Sequence, residues 1–306
     1  LGRLGSMVFM CLLGYYAPMT LLSPIHFGRF CLFGLSGLAM LMSGFRTQIF
    51  SSGVYFMMVS YFRGNLITVI KATLLMIAGV VLLIALHVSG LVTLPLAMQR
   101  ALSALPIPVE WDSLAVSDAR GSSEWRYEIW NDVWNSDKYI QNRWLGDGFG
   151  FTKEELKIMY SDLLGSGGFM GEEGATAQKI TGAYHNGPLS AIRYVGVVGL
   201  VLFIFLSFGA AKKTINLINL TKGTPYQPLT TLLVPAILAP VSYLLIFGAY
   251  DASLPATIAY VANLKLISRS FTDYLAAKGI PAAENPVVER ETGQKPALVP
   301  ARSALT

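Results

Sequence analysis

The chain is short of charge, cysteine and histidine, and each shortage closes off a class of protein. Only 13% of its 306 residues are Asp, Glu, Lys or Arg, about half the roughly 25% of a soluble domain. Too little polar surface exists to keep a chain of this length in water. With 53% hydrophobic residues and a mean hydropathy of +0.52, the composition is that of an integral membrane protein, and cytosolic enzyme folds are excluded. Cysteine occurs twice, at Cys11 and Cys31, both inside apolar runs. Neither a disulfide framework nor a thiolate metal site is available. Histidine occurs three times, at His26, His87 and His185, with no two close enough for a zinc site by local spacing. No Asp-x-Asp pair is present to chelate magnesium and no Gly-x-Ser-x-Gly elbow to present a serine nucleophile. No metal and no cofactor are therefore expected. The net charge of +5 comes from basic residues scattered among apolar runs, which reads as membrane topology and not as a nucleic-acid surface.

What is there is a series of apolar stretches. A bilayer core takes about 20 apolar residues per helix, and such stretches run over 5–22, 27–45, 47–62, 66–88, 189–209, 229–249 and 252–268. The fold class expected is all-α: a polytopic helical membrane protein of about seven transmembrane helices, with one large external loop containing short helices. Arg29, Arg63, Lys212 with Lys213, Lys222 and Arg269 fall on alternate connections, so those should be cytoplasmic. Arg46, the Asp251 turn and the segment 89–188 then lie outside. The domains expected are four transmembrane helices over 1–88, the external loop over 89–188, three more helices over 189–268 and a disordered cytoplasmic tail over 269–306. The chain starts at Leu1 without a leader and reads as the C-terminal part of something longer.

The external loop holds all five tryptophans, Trp111, Trp125, Trp130, Trp134 and Trp144. Residues 122–134 read as a helix, with Ser122 or Ser123 as cap and with Arg126, Trp130 and Trp134 on one face. That stripe fits two roles: an interfacial helix anchored at headgroup depth, or a platform on which indoles stack against pyranose faces while guanidinium grips phosphate. Leu145-Gly-Asp-Gly-Phe-Gly-Phe151 reads as a turn, and the glycine-rich acidic run 165–174 as a mobile insertion. His185, in Tyr184-His-Asn-Gly-Pro188, sits where the loop enters the fifth span. Arg46 sits on the tight connection Ser43-Gly-Phe-Arg-Thr47, and the spans place it on the same face as Arg126 and His185.

These motifs, in this order over residues 27–210, resemble the O-antigen ligase and O-antigen polymerase family of bacterial membrane glycosyltransferases. The family's Ser-Arg-Gly-like motif is resembled by Ser43-Gly-Phe-Arg46, with Phe45 where Ser usually precedes Arg. Its Arg followed four residues later by Trp is matched by Arg126 and Trp130, and its Gly-x-Gly turn by Gly146 and Gly148. Its His-Asn with a glycine pair is matched by His185, Asn186, Gly196 and Gly199. The resemblance implies inverting, metal-independent transfer of a glycan from undecaprenyl diphosphate to an acceptor hydroxyl, on lipid A-core or on a growing glycan. The chain would sit in the bacterial inner membrane with loop 89–188 as its catalytic, periplasmic part. His185 would be the general base, Arg46 and Arg126 would bind the lipid diphosphate, and Trp130 and Asn186 would meet sugar. The partners implied are the undecaprenyl-linked donor, the hydroxyl acceptor and membrane lipids, with no nucleic acid. A non-catalytic scaffold or export component of a polysaccharide assembly complex is the alternative.

Overall fold

The computed structural model describes residues 1–103, 105, 107–164, 178–237 and 250–279. Among them every regular element is helical and none is a strand. In chain order the helices are α1 (Gly2–Tyr15), α2 (Pro18–Leu21), α3 (Phe27–Met42), α4 (Arg46–Arg63), α5 (Leu66–Val88), α6 (Leu96–Leu102), α7 (Ser113–Asn135), α8 (Lys153–Leu164), α9 (Gly187–Leu220), α10 (Gln227–Thr231) and α11 (Tyr250–Ala277).

Among the described residues three helices are long and apolar enough to cross a membrane: α3 with the turn before it (Pro24–Met42), α5, and α9. α5 shows the environment directly. Ile70, Leu74, Ile77, Val81 and Leu82 are all exposed along it, a continuous apolar surface that water would not tolerate and lipid favours. Its ends are set by local chemistry. The Asn65 side chain accepts the Thr68 N–H at the start, and the chain closes at Gly90, with a φ of 74°, soon after the last turn.

The seven spans expected are not matched one for one. The first, 5–22, is broken, because Pro18 lacks an N–H to continue a helix and starts α2 instead; α1 is left with 14 residues. α4 coincides with the third, but Arg46, Gln48 and Arg63 keep it below the apolarity of the other three. Of the sixth, only residues up to 237 lie among those described. The seventh is part of the longer α11, which carries Lys265, Arg269 and Asp273. The disordered tail does not begin at 269: α11 is helical through Ala277 because Phe271 and Leu275 are buried against Leu217 and Leu264. Residues 280–306 and the insertion 165–174 lie outside the described residues.

An aromatic and aliphatic core joins the helices from α1 to α5 with the far end of α9. Phe9 of α1 stacks on Phe33 of α3 at 4.7 Å, and Phe56 of α4 closes the trio. At the other end, the segment between α5 and α9 folds back on the bundle. Buried Gln99 of α6 accepts the Asp112 N–H and donates to the Leu94 carbonyl. Asp112 then caps α7 by accepting the Leu114 N–H. α7 therefore begins at Ser113, earlier than Ser122 or Ser123, and the Ser123 hydroxyl instead bonds back to the Ala119 carbonyl within the helix.

α9 is not continuous. Gly196 has a φ of 67° inside it, and the break strands backbone groups that the turn 143–148 takes up. Val197 and Val198 donate to the carbonyls of Arg143 and Trp144, while Asp147 and Gly148 donate to the carbonyls of Arg193 and Tyr194. Backbone meets backbone so closely that a Cβ on Gly196 would lie 2.1 Å from the Trp144 carbonyl oxygen, and one on Gly146 2.5 Å from the Tyr194 carbonyl carbon. Buried Arg193 locks the same joint, with Nη1 3.1 Å from Asp147 Oδ2 and Nη2 3.4 Å from Glu155 Oε1. The Asp147 carboxylate also accepts the N–H groups of Gln141 and Asn142.

A methyl group at Gly196 is both sterically blocked and in a backbone region costly for any side chain. Gly196→Ala is expected to destabilise the protein by at least about 2 kcal/mol. Gly209→Ala, on the same helix with open space around it, is expected to be neutral or slightly stabilising. Thermal unfolding of the two variants in detergent checks this; equal melting temperatures would show that the joint is not built on Gly196.

Candidate active site

The residues singled out from the sequence come from three separate regions, and the fold brings them to one end of the bundle. Arg46 begins α4, and its Nη2 donates to the Ala119 carbonyl of α7 at 3.0 Å. Two turns further along α7 stands Arg126, close enough to Arg46 and to Arg100 of α6 for both to act on its charge. Partial burial first, and these two guanidiniums second, hold Arg126 below its ordinary value. Arg100 is paired with Asp118 at 2.7 Å. Among the described residues neither Arg46 nor Arg126 has a carboxylate partner. Half-buried, unpaired guanidiniums are unfavourable alone and become favourable when an anion joins them.

His185 lies beside this cluster. Its ring meets Trp125 edge to face, with centroids 5.9 Å apart. Its φ of 50° makes it the one non-glycine residue with positive φ among those described, a conformation that His tolerates better than most and that costs about 1–3 kcal/mol where it is enforced. Neighbours on both sides enforce it. The Tyr184 carbonyl accepts the Trp130 indole N–H at 2.7 Å, and the Tyr184 ring is fully buried. On the other side, Asn186 caps α9 by accepting the Leu189 N–H at 3.0 Å, with Pro188 in the first turn where its missing N–H costs nothing. The imidazole is thus presented on a short strained link between two fixed residues. It remains reachable from solvent, yet the surrounding protein and then the Arg126 charge push its pKa below the ordinary value. The neutral ring, able to accept a proton, dominates at neutral pH.

Arg46, Arg126, His185, Trp130 and Asn186 are therefore grouped, while Trp134 is exposed further along α7. Two arginines of this end were missed from sequence. Arg100 offered no local signal. Arg193 did, as a charge inside the apolar stretch 189–209, where ionisable residues are rarely ornamental. The glycines of the Gly-x-Gly turn separate by role: Gly146 is required by the close approach to α9 and Gly148 by its φ of 79°, whereas Gly150 has open space. Among the described residues, no group of three or more His, Cys, Asp or Glu side chains is placed to hold a metal ion.

Comparison with known protein families, curated proteins and solved structures finds no match to this chain.

Because Arg126 repels the protonated ring, replacing it with Gln is expected to raise the pKa of His185 toward the ordinary value of about 6.5. In the unaltered protein, any activity that needs neutral His185 should persist as the pH falls through that value and fail only below it. NMR titration of labelled histidine, with His26 and His87 replaced, measures both. An unchanged pKa in Arg126→Gln would mean that the two groups do not share a site.

Proposed function

We propose that the chain is a membrane glycosyltransferase that moves a glycan from undecaprenyl diphosphate to an acceptor hydroxyl of lipid A-core or of a growing glycan. The observation that carries the reading is the convergence of Arg46, Arg126 and His185, from three regions far apart in sequence, at the end of the bundle where α6 and α7 lie. The resemblance of their motifs to the O-antigen ligase and polymerase family supports it. In this reading the chain crosses the bacterial inner membrane several times and the site faces the periplasm. The exposed apolar pair Trp144 and Leu145, next to the break in α9, rests at headgroup depth, as aromatic and aliphatic side chains do there.

The chemistry follows from what these groups do to charge. His185, neutral and oriented, accepts the proton of the acceptor hydroxyl as its oxygen bonds to the anomeric carbon from the face opposite the leaving group. The anomeric carbon–oxygen bond to the diphosphate breaks with its electron pair, and configuration inverts. Undecaprenyl diphosphate leaves, its growing negative charge met by Arg46 and Arg126. Preorganised cations in a water-poor site stabilise that charge more than water does. The guanidiniums occupy the part that a divalent ion plays in other transferases, so the reading involves no metal. Trp130 and Asn186, fixed on either side of His185, contact sugar.

His185→Ala in the full-length protein, at equal membrane abundance, is expected to abolish transfer to the acceptor while the donor still binds. Arg126→Ala is expected to lower the rate by about 100-fold to 1,000-fold, the usual loss for one donor of an anion site. Gel mobility of the acceptor reads both. Wild-type transfer by His185→Ala would remove the base from this account, and a wild-type protein that transfers to no acceptor would leave a scaffold in a polysaccharide assembly complex.

A further inference from the structure

A groove of about 410 Å³ runs along α7 from the His185 link toward the C-terminal end of that helix, with the first turns of α9 as its floor. Tyr127, Trp130 and Trp134 supply three aromatic surfaces, and Asn131, Asn135 and Asn186 supply three carboxamides; no charged residue lines it. The volume lies in the usual range for a small-ligand site, about 300–1,000 Å³. From Tyr127 to Asn135 the helix rises about 12 Å, room for more than one pyranose ring.

The polar groups are partly committed in a way that defines what remains. Asn186 Oδ1 accepts the Leu189 N–H, which turns its NH₂ away from the helix start. Asn135 Nδ2 donates to Asn131 Oδ1 at 2.9 Å, which leaves the Asn131 NH₂ as donor and the Asn135 oxygen as acceptor. Exchanging both amide orientations leaves one of each again. The groove thus offers donors and an acceptor around apolar ring faces, with no ionic group. Hydroxyls, which donate and accept at once, complement that set. Phosphate, carboxylate and ammonium do not. Trp130 is held rigid by its indole bond to Tyr184, and Trp134 is backed by the Arg143 guanidinium 5.3 Å from its ring centre. The exposed pair Trp144 and Leu145 lies on another turn beside Gly196, so an anchor at headgroup depth is available without the groove.

We infer that this groove binds a neutral glycan, and that it is the subsite of the acceptor sugar. The second part rests on the transferase reading. A base must touch the hydroxyl that it deprotonates, and the groove includes Asn186, the residue after His185, and Trp130, which bonds the residue before it. None of the arginines lines the groove; they remain for the donor diphosphate.

The test uses the full-length chain in lipid nanodiscs and follows tryptophan emission, since every tryptophan lies in this region. The probes are the neutral oligosaccharide fraction released from the envelope of the organism that makes the chain and, in parallel, the acidic fraction. Saturable binding of the neutral fraction is expected. Trp134→Ala and Asn135→Ala, both exposed positions that the fold does not need, are each expected to weaken it about tenfold, equivalent to about 1.4 kcal/mol; Trp144→Ala is expected to leave it unchanged. Preference for the acidic fraction, or neutral binding indifferent to Trp134→Ala and Asn135→Ala, overturns the inference. So does the absence of neutral binding with Trp134 emission shifted to the blue by nanodisc lipid alone, which would make the stripe a lipid anchor. The two readings fail separately. Sugar binding in a protein that transfers nothing would sink the transferase and keep the groove, whereas transfer with an unaltered acceptor KM in Trp134→Ala would sink the acceptor subsite and keep the transferase.

Discussion

The arrangement of this end of the molecule depends on an exchange of backbone hydrogen bonds where α9 breaks at Gly196. A helix interrupted among apolar neighbours leaves carbonyls and N–H groups unpaired, and each costs several kcal/mol in a dry setting. The turn 143–148 supplies the missing partners to Val197, Val198, Arg193 and Tyr194. Gly146 and Gly196 let the two backbones approach, and Arg193 with Asp147 and Glu155 closes the joint by charge. Once this turn is fixed, the C-terminal end of α7 is fixed too. Arg143 bonds the Trp134 carbonyl at 2.8 Å, and Ile129 and Val133 of α7 are buried against Leu189 and Ile192 of α9.

That rigidity is what makes an electrostatically unfavourable site tolerable. Three guanidiniums share one neighbourhood, and among the described residues only Arg100 of the three has a carboxylate partner, Asp118. An imidazole beside them is kept neutral first by the protein around it and then by the Arg126 charge. The cations favour an anion and disfavour a protonated histidine, so one field serves the two halves of the proposed chemistry: it gathers the leaving diphosphate and preserves the base. His185 is held in its strained conformation because Trp130 and Asn186 grip the residues or atoms on either side. The cost of the strain is met by capping and packing outside the ring itself.

Much of the membrane-crossing part was legible along the chain, because apolar length and caps are local. Leu66–Val88 matched its expected bounds, helped by the Asn65 cap, and α9 starts at the Asn186 cap followed by Pro188. Pro18 was legible as well, and weighing its missing N–H would have split the first span. The start of α7 was not, since Asp112 becomes its cap only once Gln99 has fixed the Asp112 backbone from α6. The grouping of Arg46, Arg126 and His185 could be expected only through span sidedness and family resemblance. The parts that position them were invisible to local spacing: Arg100 arrives through tertiary packing, and the turn 143–148 pairs with α9 across a long sequence separation. The glycines at 146 and 196 marked the places without naming the partner.

The measurement that bears most directly on the central claim is a cryo-electron microscopy structure of the full-length protein in nanodiscs with undecaprenyl diphosphate bound. The account predicts phosphate density contacting Arg46 and Arg126, with the His185 ring facing the position where the anomeric carbon would sit. Phosphate density held elsewhere, with His185 turned away from it, would contradict the account.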